Sequence, residues 1–229
     1  MSWRTNKLIL LFRKLGRLMG VNKIISRLVL GDKYEESYDA FLQSFIADAD
    51  IVWDIGGNVG YYSKIFSDAV GVYGKVFVFE PSPINFSTLK KNTHNIKNIY
   101  LNNFGLGSSE GIFSFEQGKD QLGATSKFCP NTESSMMVEI KSPQKIIASG
   151  DIDLPSIIKI DVEGFELEVL RGFKNALKNK KIKAIGVEIH FSELENMGNP
   201  NASMHIESLL VSSGFKLKWT DFSHLVAYR

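Results

Sequence analysis

The chain has 229 residues, of which 44% are hydrophobic and 23% charged, a balance that suits one globular α/β domain with a short extension. No apolar stretch is long and uncharged enough to cross a bilayer. The single cysteine, Cys129, excludes an intramolecular disulfide and a cysteine-based metal cluster, and we interpret it as incidental.

Residues 1–30 form a basic segment with seven lysines and arginines and no acidic residue, so the rest of the chain carries a net charge of −5 (2 − 7). Its helical spacing of apolar and basic residues predicts an amphipathic extension. This extension either contacts an anionic membrane surface or packs on the domain as a lid or dimer arm. The acidic remainder does not suit a nucleic-acid groove. Without a secretory signal, we expect a cytoplasmic protein, membrane-associated at the inner surface if the extension docks there.

The segment Ile51–Ser63, IVWDIGGNVGYYS, has the pattern of a buried strand, a glycine-rich turn and the start of a helix. Its glycines do not have the spacing of the dinucleotide fingerprint, which disfavours a dehydrogenase. The pattern D-x-G-x-x-x-G, which begins at Asp54, instead resembles the first motif of S-adenosylmethionine-dependent methyltransferases. A tight turn without a ligand is the alternative.

Two further strands follow, Lys75–Phe79 and Ile99–Phe104. The first ends at Glu80, twenty residues after Gly60, where a carboxylate can accept hydrogen bonds from ribose hydroxyls. An ordinary exposed glutamate is the alternative. The second ends near Asn103, where the edge of an adenine ring could be contacted.

Residues 107–150 depart from the strand–helix alternation. The segments GIFSFEQG and MMVEIK have the pattern of short strands, and a polar, glycine- and serine-rich stretch lies between them. We expect strands and loops here in place of a helix, forming a lid over the substrate.

The remaining chain predicts a strand at Ile157–Ile160, a helix through Phe165–Phe173 and a strand at Ala184–Ile189. A helix at Ala202–Ser213 and two final strands complete it, with the last strand expected at an antiparallel edge. Four polar residues follow the ends of the two internal strands: Asp161, Glu163, Glu188 and His190. Since ligands of open α/β sheets bind at the carboxyl ends of the strands, these residues are catalytic candidates.

Taken together, DIGGNVGYYS, FEP, IIKIDVEGFELEVLRG and GVEIHF resemble the FkbM-type S-adenosylmethionine-dependent methyltransferases. The resemblance implies a Rossmann-like class I fold, with a seven-stranded, mostly parallel sheet, one antiparallel strand and helices on both faces. It also implies O-methylation of a sugar, glycan or polyketide-type small molecule. The candidate cofactor-binding residues are Asp54, Gly56, Gly57, Asn58, Gly60, Glu80 and Asn103. We therefore divide residues 31–229 into a cofactor half (about 51–107), an insertion (about 107–150) and a substrate half (about 151–229).

An aliphatic hydroxyl attacks the methyl group only as its proton leaves, and His190 or Asp161 could accept that proton. A divalent cation held by the carboxylates and His190 is an alternative that we do not favour from sequence. Glu163 and Gly164 could instead cap the next helix. A methyltransferase acting on protein and a non-catalytic binding module also stay open, whereas the motif expected of a nucleic-acid amino-methyltransferase does not occur after the fourth strand.

Overall fold

The computed structural model describes residues 33–116, 127–128 and 135–229, so the basic segment and Cys129 lie outside the described residues. The helices are α1 Lys33–Gln43, α2 Tyr61–Val70, α3 Pro83–Thr93, α4 Pro143–Ser149, α5 Glu166–Phe173, α6 Phe191–Asn196 and α7 Ala202–Ser212, with a 3₁₀ helix at Lys174–Lys178. The strands are β1 Ile51–Ile55, β2 Lys75–Phe79, β3 Ile99–Asn102, β4 Gly105–Leu106, β5 Gly111–Glu116, β6 Lys127–Phe128, β7 Ser135–Lys141, β8 Ile157–Ile160, β9 Ala184–Glu188, β10 Lys216–Trp219 and β11 His224–Tyr228.

Seven strands form the main sheet, in the order β10-β11-β9-β8-β1-β2-β3. All neighbouring pairs are parallel except those that β11 makes with β9 and β10. The predicted seven-stranded sheet with one antiparallel strand is therefore confirmed.

The expected edge position of the last strand is wrong. β11 lies between β9 and β10, and β10 forms the edge. The residues explain the difference, because four of the five β11 residues are buried whereas β10 alternates between exposed and half-buried positions. A strand that is covered on both sides belongs inside a sheet.

Helices cover both faces of this sheet. Successive side chains of β1 point to opposite faces, so Val52 packs in one core cluster with Phe66 of α2 and Leu89 of α3. Trp53 packs in the other cluster, with Phe173 of α5 and residues of α7. The predicted three-layer α/β arrangement follows from these two cores.

A second, four-stranded sheet has the order β4-β7-β5-β6 and occupies the region where strands and loops were expected. Helix α4, however, forms within this region and was not predicted. It begins at Pro143, a residue suited to a first helical turn, and is capped after Ser149 by Gly150, whose φ of 78° lies in the left-handed region. Residues 117–126 and 129–134, which include most of the polar stretch between the two expected strands, lie outside the described residues.

Among the residues that the structure describes, no helix has the length and apolarity needed to span a membrane. Contact of residues 1–30 with a membrane surface stays a prediction.

Candidate active site

The candidate residues lie along the carboxyl-terminal ends of the parallel strands β1, β2, β8 and β9. We call this side of the main sheet its edge, which is distinct from the edge strand β10. Asp54 is the penultimate residue of β1, and Glu188 is the last residue of β9. Glu80 follows β2, and Asp161 follows β8. Parallel pairing places these four ends side by side. We call the β1–β2 part of this edge, with Asp54, Gly56–Gly60, Glu80 and Asn103, the glycine-turn site.

Asp54 is fully buried in the glycine-turn site. Its Oδ2 accepts a hydrogen bond of 2.6 Å from the Ser63 hydroxyl of α2. Its Oδ1 lies 3.5 Å from Nζ of Lys159 and has no hydrogen-bond partner among the described residues. This second oxygen thus faces the Lys159 ammonium group without a hydrogen bond.

The glycine turn passes very close to the end of β8. A Cβ added at Gly56 would lie 1.8 Å from the carbonyl oxygen of Asp161, which is a steric clash. The φ of Gly56 is 81°, a backbone conformation that residues with a side chain rarely adopt. The backbone N–H groups of Gly56 and Gly57 donate to the carbonyl of Phe79. The turn is therefore fixed between β2 and β8 by backbone contacts.

Glu80 is buried behind this turn, 4% exposed. Its Oε2 accepts a 2.9 Å hydrogen bond from the N–H of Asn58, and its Oε1 accepts one of 2.9 Å from the N–H of Ser82. Burial raises the pKa of Glu80 to about 7 despite these two donors. The side-chain amide of Asn103 donates to the backbone carbonyl of Glu80 at 2.8 Å, which fixes Asn103 next to the end of β2.

The polar atoms of the glycine-turn site fit a polar cofactor. Oδ1 of Asn58, like Oδ1 of Asp54, is buried without a hydrogen-bond partner among the described residues. Buried polar atoms in proteins normally have partners, so each of these atoms suits a ligand donor. Each Glu80 oxygen also keeps a lone pair that a ribose hydroxyl could use.

Lys159 joins the two parts of the edge and was not among the predicted residues. It lies within β8, 3% exposed, with Nζ 3.5 Å from Asp54 Oδ1 and 3.2 Å from Asp161 Oδ2. Burial lowers the pKa of Lys159, but the Asp161 and Asp54 carboxylates outweigh this and raise it. The signal was a lysine in the otherwise apolar strand IIKI, since unpaired lysine is almost never fully buried.

Asp161, Glu163, Glu188 and His190 come together, and we call them the His190 cluster. Nε2 of His190 lies 3.8 Å from Asp161 Oδ1, 3.4 Å from Glu163 Oε2 and 3.8 Å from Glu188 Oε1. The capping interpretation of Glu163 is wrong: Phe165 is the N-cap of α5 and receives no side-chain cap, and the Gly164 N–H donates to Glu166 instead.

Glu166 holds the imidazole in place from behind and was also not predicted as a site residue. It is fully buried, and its Oε1 lies 2.7 Å from Nδ1 of His190. The sequence shows only a glutamate near the start of the predicted helix, and its burial becomes visible in the structure alone.

Charge in the His190 cluster shifts its pKa values. Burial lowers the pKa of His190, but the hydrogen bond to Glu166 and the surrounding carboxylates outweigh it and raise this pKa to about 10. Burial raises the pKa of Glu163 to about 7. Burial also raises the pKa of Asp161, but Lys159 and His190 outweigh it and lower this pKa. Groups this close titrate as one unit.

His224 extends the cluster into β11 and was not among the predicted site residues. Its Nδ1 lies 2.8 Å from Asp221 Oδ2, and its Nε2 lies 3.5 Å from Glu188 Oε2. Burial lowers the pKa of His224, but Asp221 and Glu188 raise it to about 9. Glu188 is thus held between two histidines.

A model described as the methyltransferase FkbM domain matches residues 54–217, a range that begins at Asp54 and includes the whole His190 cluster. The chain belongs to the FkbM methyltransferase family. The resemblance noted from the four sequence motifs is therefore confirmed.

Two curated relatives of this FkbM chain are methyltransferases. The hexuronic acid methyltransferase AglP of Haloferax volcanii is 37% identical over 142 residues, which cover 62% of this chain and 56% of AglP. Methyltransferase 1 of Beauveria bassiana is 22% identical over 147 residues, which cover 55% of this chain and 59% of the relative. The matched part thus spans a little over half the length of each relative.

Solved structures confirm the fold. An FkbM methyltransferase of Methylobacillus flagellatus KT superposes with a TM-score of 0.53 at 17% identity, covering 80% of this chain and 44% of that one. A Streptococcus mutans protein solved in complex with SAH gives 0.51 at 12% identity, covering 84% and 94%. The Rossmann-like class I methyltransferase fold is shared among these chains.

Proposed function

We propose that this chain is an S-adenosylmethionine-dependent O-methyltransferase that acts on a hydroxyl group of a sugar, within a glycan or a related small molecule. The observation that carries the proposal is the position of the glycine-turn site beside the His190 cluster on one sheet edge, joined by Lys159. The identity to AglP, a hexuronic acid methyltransferase, supports a sugar acceptor.

In this proposal the glycine-turn site holds the cofactor. Glu80 binds the ribose hydroxyls, Asp54 and Asn58 supply the available buried oxygens, and Asn103 lies near the adenine. The glycines Gly56, Gly57 and Gly60 let the backbone fold tightly enough to form this site. When bound, S-adenosylmethionine supplies an electrophilic methyl group on sulfur with a good leaving group.

The His190 cluster then receives the acceptor. Its partly exposed carboxylates can hold a sugar hydroxyl and accept the proton released as the oxygen is methylated. His190 and Asp161 are the two bases named from sequence. Since they share one titrating unit with Glu163 and Glu188, we assign the proton to the cluster as a whole.

Calorimetric titration with S-adenosylmethionine tests the cofactor part. We expect wild-type protein to bind, Asp54→Ala and Glu80→Ala to lose binding, and Glu139→Gln, a change on the exposed side of β7, to bind as wild type. Absence of binding to folded wild-type protein would contradict the proposal and favour the non-catalytic alternative.

Turnover tests the catalytic part. We expect methyl transfer to hexuronic acid glycosides, with His190→Ala reducing the rate about 10²–10⁴-fold while cofactor affinity is kept. Transfer to a protein acceptor but not to any sugar would contradict the proposed substrate class.

A further inference from the structure

Three groups of the His190 cluster, Asp161, Glu163 and His190, surround one point, and Glu188 lies beside them. One ligand atom each from Asp161, Glu163 and His190 can be chosen so that all lie within 4.8 Å of one another. Glu188 Oε1 lies 3.8 Å from the same imidazole nitrogen. The side chains are 17–33% exposed, so the point can be reached from solvent.

Hydrogen bonding within the cluster does not account for this geometry. A single Nε2–H can donate well to one acceptor, yet three carboxylate oxygens lie 3.4–3.8 Å from Nε2. These separations exceed the usual range of N–H···O bonds. Atoms that share one ion, in contrast, do not contact each other and are held apart at about 3 Å or more by metal–ligand bonds of about 2.1 Å.

An independent observation concerns the other side of the imidazole. Glu166 is fully buried, its Oε1 accepts from Nδ1 of His190 at 2.7 Å, and its Oε2 has no hydrogen-bond partner among the described residues. A histidine that binds a metal typically donates its second N–H to such a carboxylate, which fixes the tautomer and directs the free nitrogen at the ion. With Nδ1 occupied by Glu166, the nitrogen that would bind an ion is Nε2, the atom that faces Asp161 and Glu163.

Glu188 is positioned in a similar way. Its Oε2 lies 3.5 Å from Nε2 of His224, and His224 is held in turn by Asp221 at 2.8 Å. This arrangement leaves Oε1 of Glu188 directed at the cluster. Two outer carboxylates, Glu166 and Asp221, therefore orient the groups that surround the central point.

We propose that Asp161, Glu163 and His190 bind one divalent cation of the Mg²⁺ or Mn²⁺ class. Two carboxylates with one imidazole suit these ions better than a thiolate-preferring metal. The binding stands on the geometry alone, whereas its purpose, acidifying the hydroxyl of the acceptor, rests on the proposed function.

Mn²⁺ binding measured by EPR tests this inference, because the sharp signal of free Mn²⁺ is lost on binding. We expect wild-type protein to bind one Mn²⁺ per chain, displaceable by Mg²⁺. Glu163→Gln and His190→Gln should weaken binding about tenfold or more, and Glu166→Gln, which touches no ion itself, about tenfold. Glu139→Gln and the exposed His94→Asn are matched controls that should bind as wild type.

Circular dichroism and calorimetry with S-adenosylmethionine on the same samples confirm that each variant is folded. Wild-type protein that binds the cofactor but no Mn²⁺ at millimolar concentration would overturn the metal site and leave the proposed function intact. Mn²⁺ binding that is equal in wild type, Glu163→Gln and His190→Gln would also overturn it, by placing the ion elsewhere. Metal binding without cofactor binding would contradict the proposed function and leave the metal site supported.

Discussion

The glycine-turn site and the His190 cluster share one edge of the sheet but are held in different ways. In the glycine-turn site, backbone N–H groups hold the carboxylate of Glu80, and glycines allow the close packing. In the His190 cluster, side chains hold one another through charge.

The difference is informative about function. Backbone donors are fixed by the fold and keep their geometry whatever the protonation state, which suits binding of an invariant cofactor. Side-chain charges respond to protons, ions and substrate, which suits chemistry. Lys159 is where the two modes meet, because it contacts Asp54 on one side and Asp161 on the other.

The largest expected effect comes from Gly56→Ala, which forces a Cβ against the Asp161 carbonyl at a positive φ. Overpacking and backbone strain together should lower the free energy of unfolding by about 4 kcal/mol, measured by urea denaturation. Gly150→Ala is the control, since φ there is 78° with no atom within 4 Å of the added Cβ. Its cost should be about 1 kcal/mol. An equal loss of unfolding free energy in Gly56→Ala and Gly150→Ala would show that the glycine turn does not pack tightly against the backbone of Asp161.

Lys159→Met breaks the link between the regions. Removing the lysine leaves two carboxylates without their shared cation, so we expect a loss of about 3 kcal/mol in unfolding free energy. Lys75→Met, which removes an exposed lysine paired with Asp153, should lower the free energy of unfolding far less than Lys159→Met does. Adding Asp161→Asn to Lys159→Met should recover part of the loss, and full additivity would argue against direct coupling.

Glu80 gives the glycine-turn site a pH dependence of its own. Because burial raises its pKa to about 7, the carboxylate is mostly protonated at pH 6 and mostly ionised at pH 8. If the ionised form binds the ribose hydroxyls, cofactor affinity should rise about tenfold over this range. Calorimetry at several pH values measures it, and a flat profile for wild type would contradict the role of Glu80.

Stability without cofactor should change in the opposite direction. The folded pKa of Glu80 is above the unfolded value of about 4.5, so its contribution is full below that value and is lost as the pH rises through 7. Glu80→Gln should flatten both profiles.

Asn103→Ala should have the smallest effect. Its amide donates to the Glu80 carbonyl at 2.8 Å, and losing one such bond costs about 1 kcal/mol, or roughly fivefold in cofactor affinity. Asn102→Ala is the neighbouring control, because the amide of Asn102 donates to Val78 and not to Glu80. Affinity should not change in the control, and a fivefold loss in both variants would remove Asn103 from the site.

Much of the fold follows from local pattern. The apolar runs at Asp54, Glu80 and Asp161 form strands of four or five residues, and their sequence pattern alone identifies them. The carboxyl ends of these strands bring the candidate residues to one edge of the sheet. Helix α4 was missed because its apolar pair, Ile146 and Ile147, is too short to show helical spacing. β11 was misplaced because the order of strands depends on pairing between distant segments.

The sequence by itself determined the strands, the glycine turn and the residue types at the strand ends, because these depend on periodicity and on backbone freedom within a few residues. Only the tertiary structure decided that Glu166 lies behind His190, that Lys159 bridges two aspartates and that His224 holds Glu188. Glu166 and His190 are 24 residues apart, Asp54 and Lys159 are 105 apart, and Glu188 and His224 are 36 apart. Lys159 and Asp161 are close in sequence, but their contact depends on the side-chain rotamers in the packed core. Their meeting depends on sheet order and side-chain direction, which no local pattern carries.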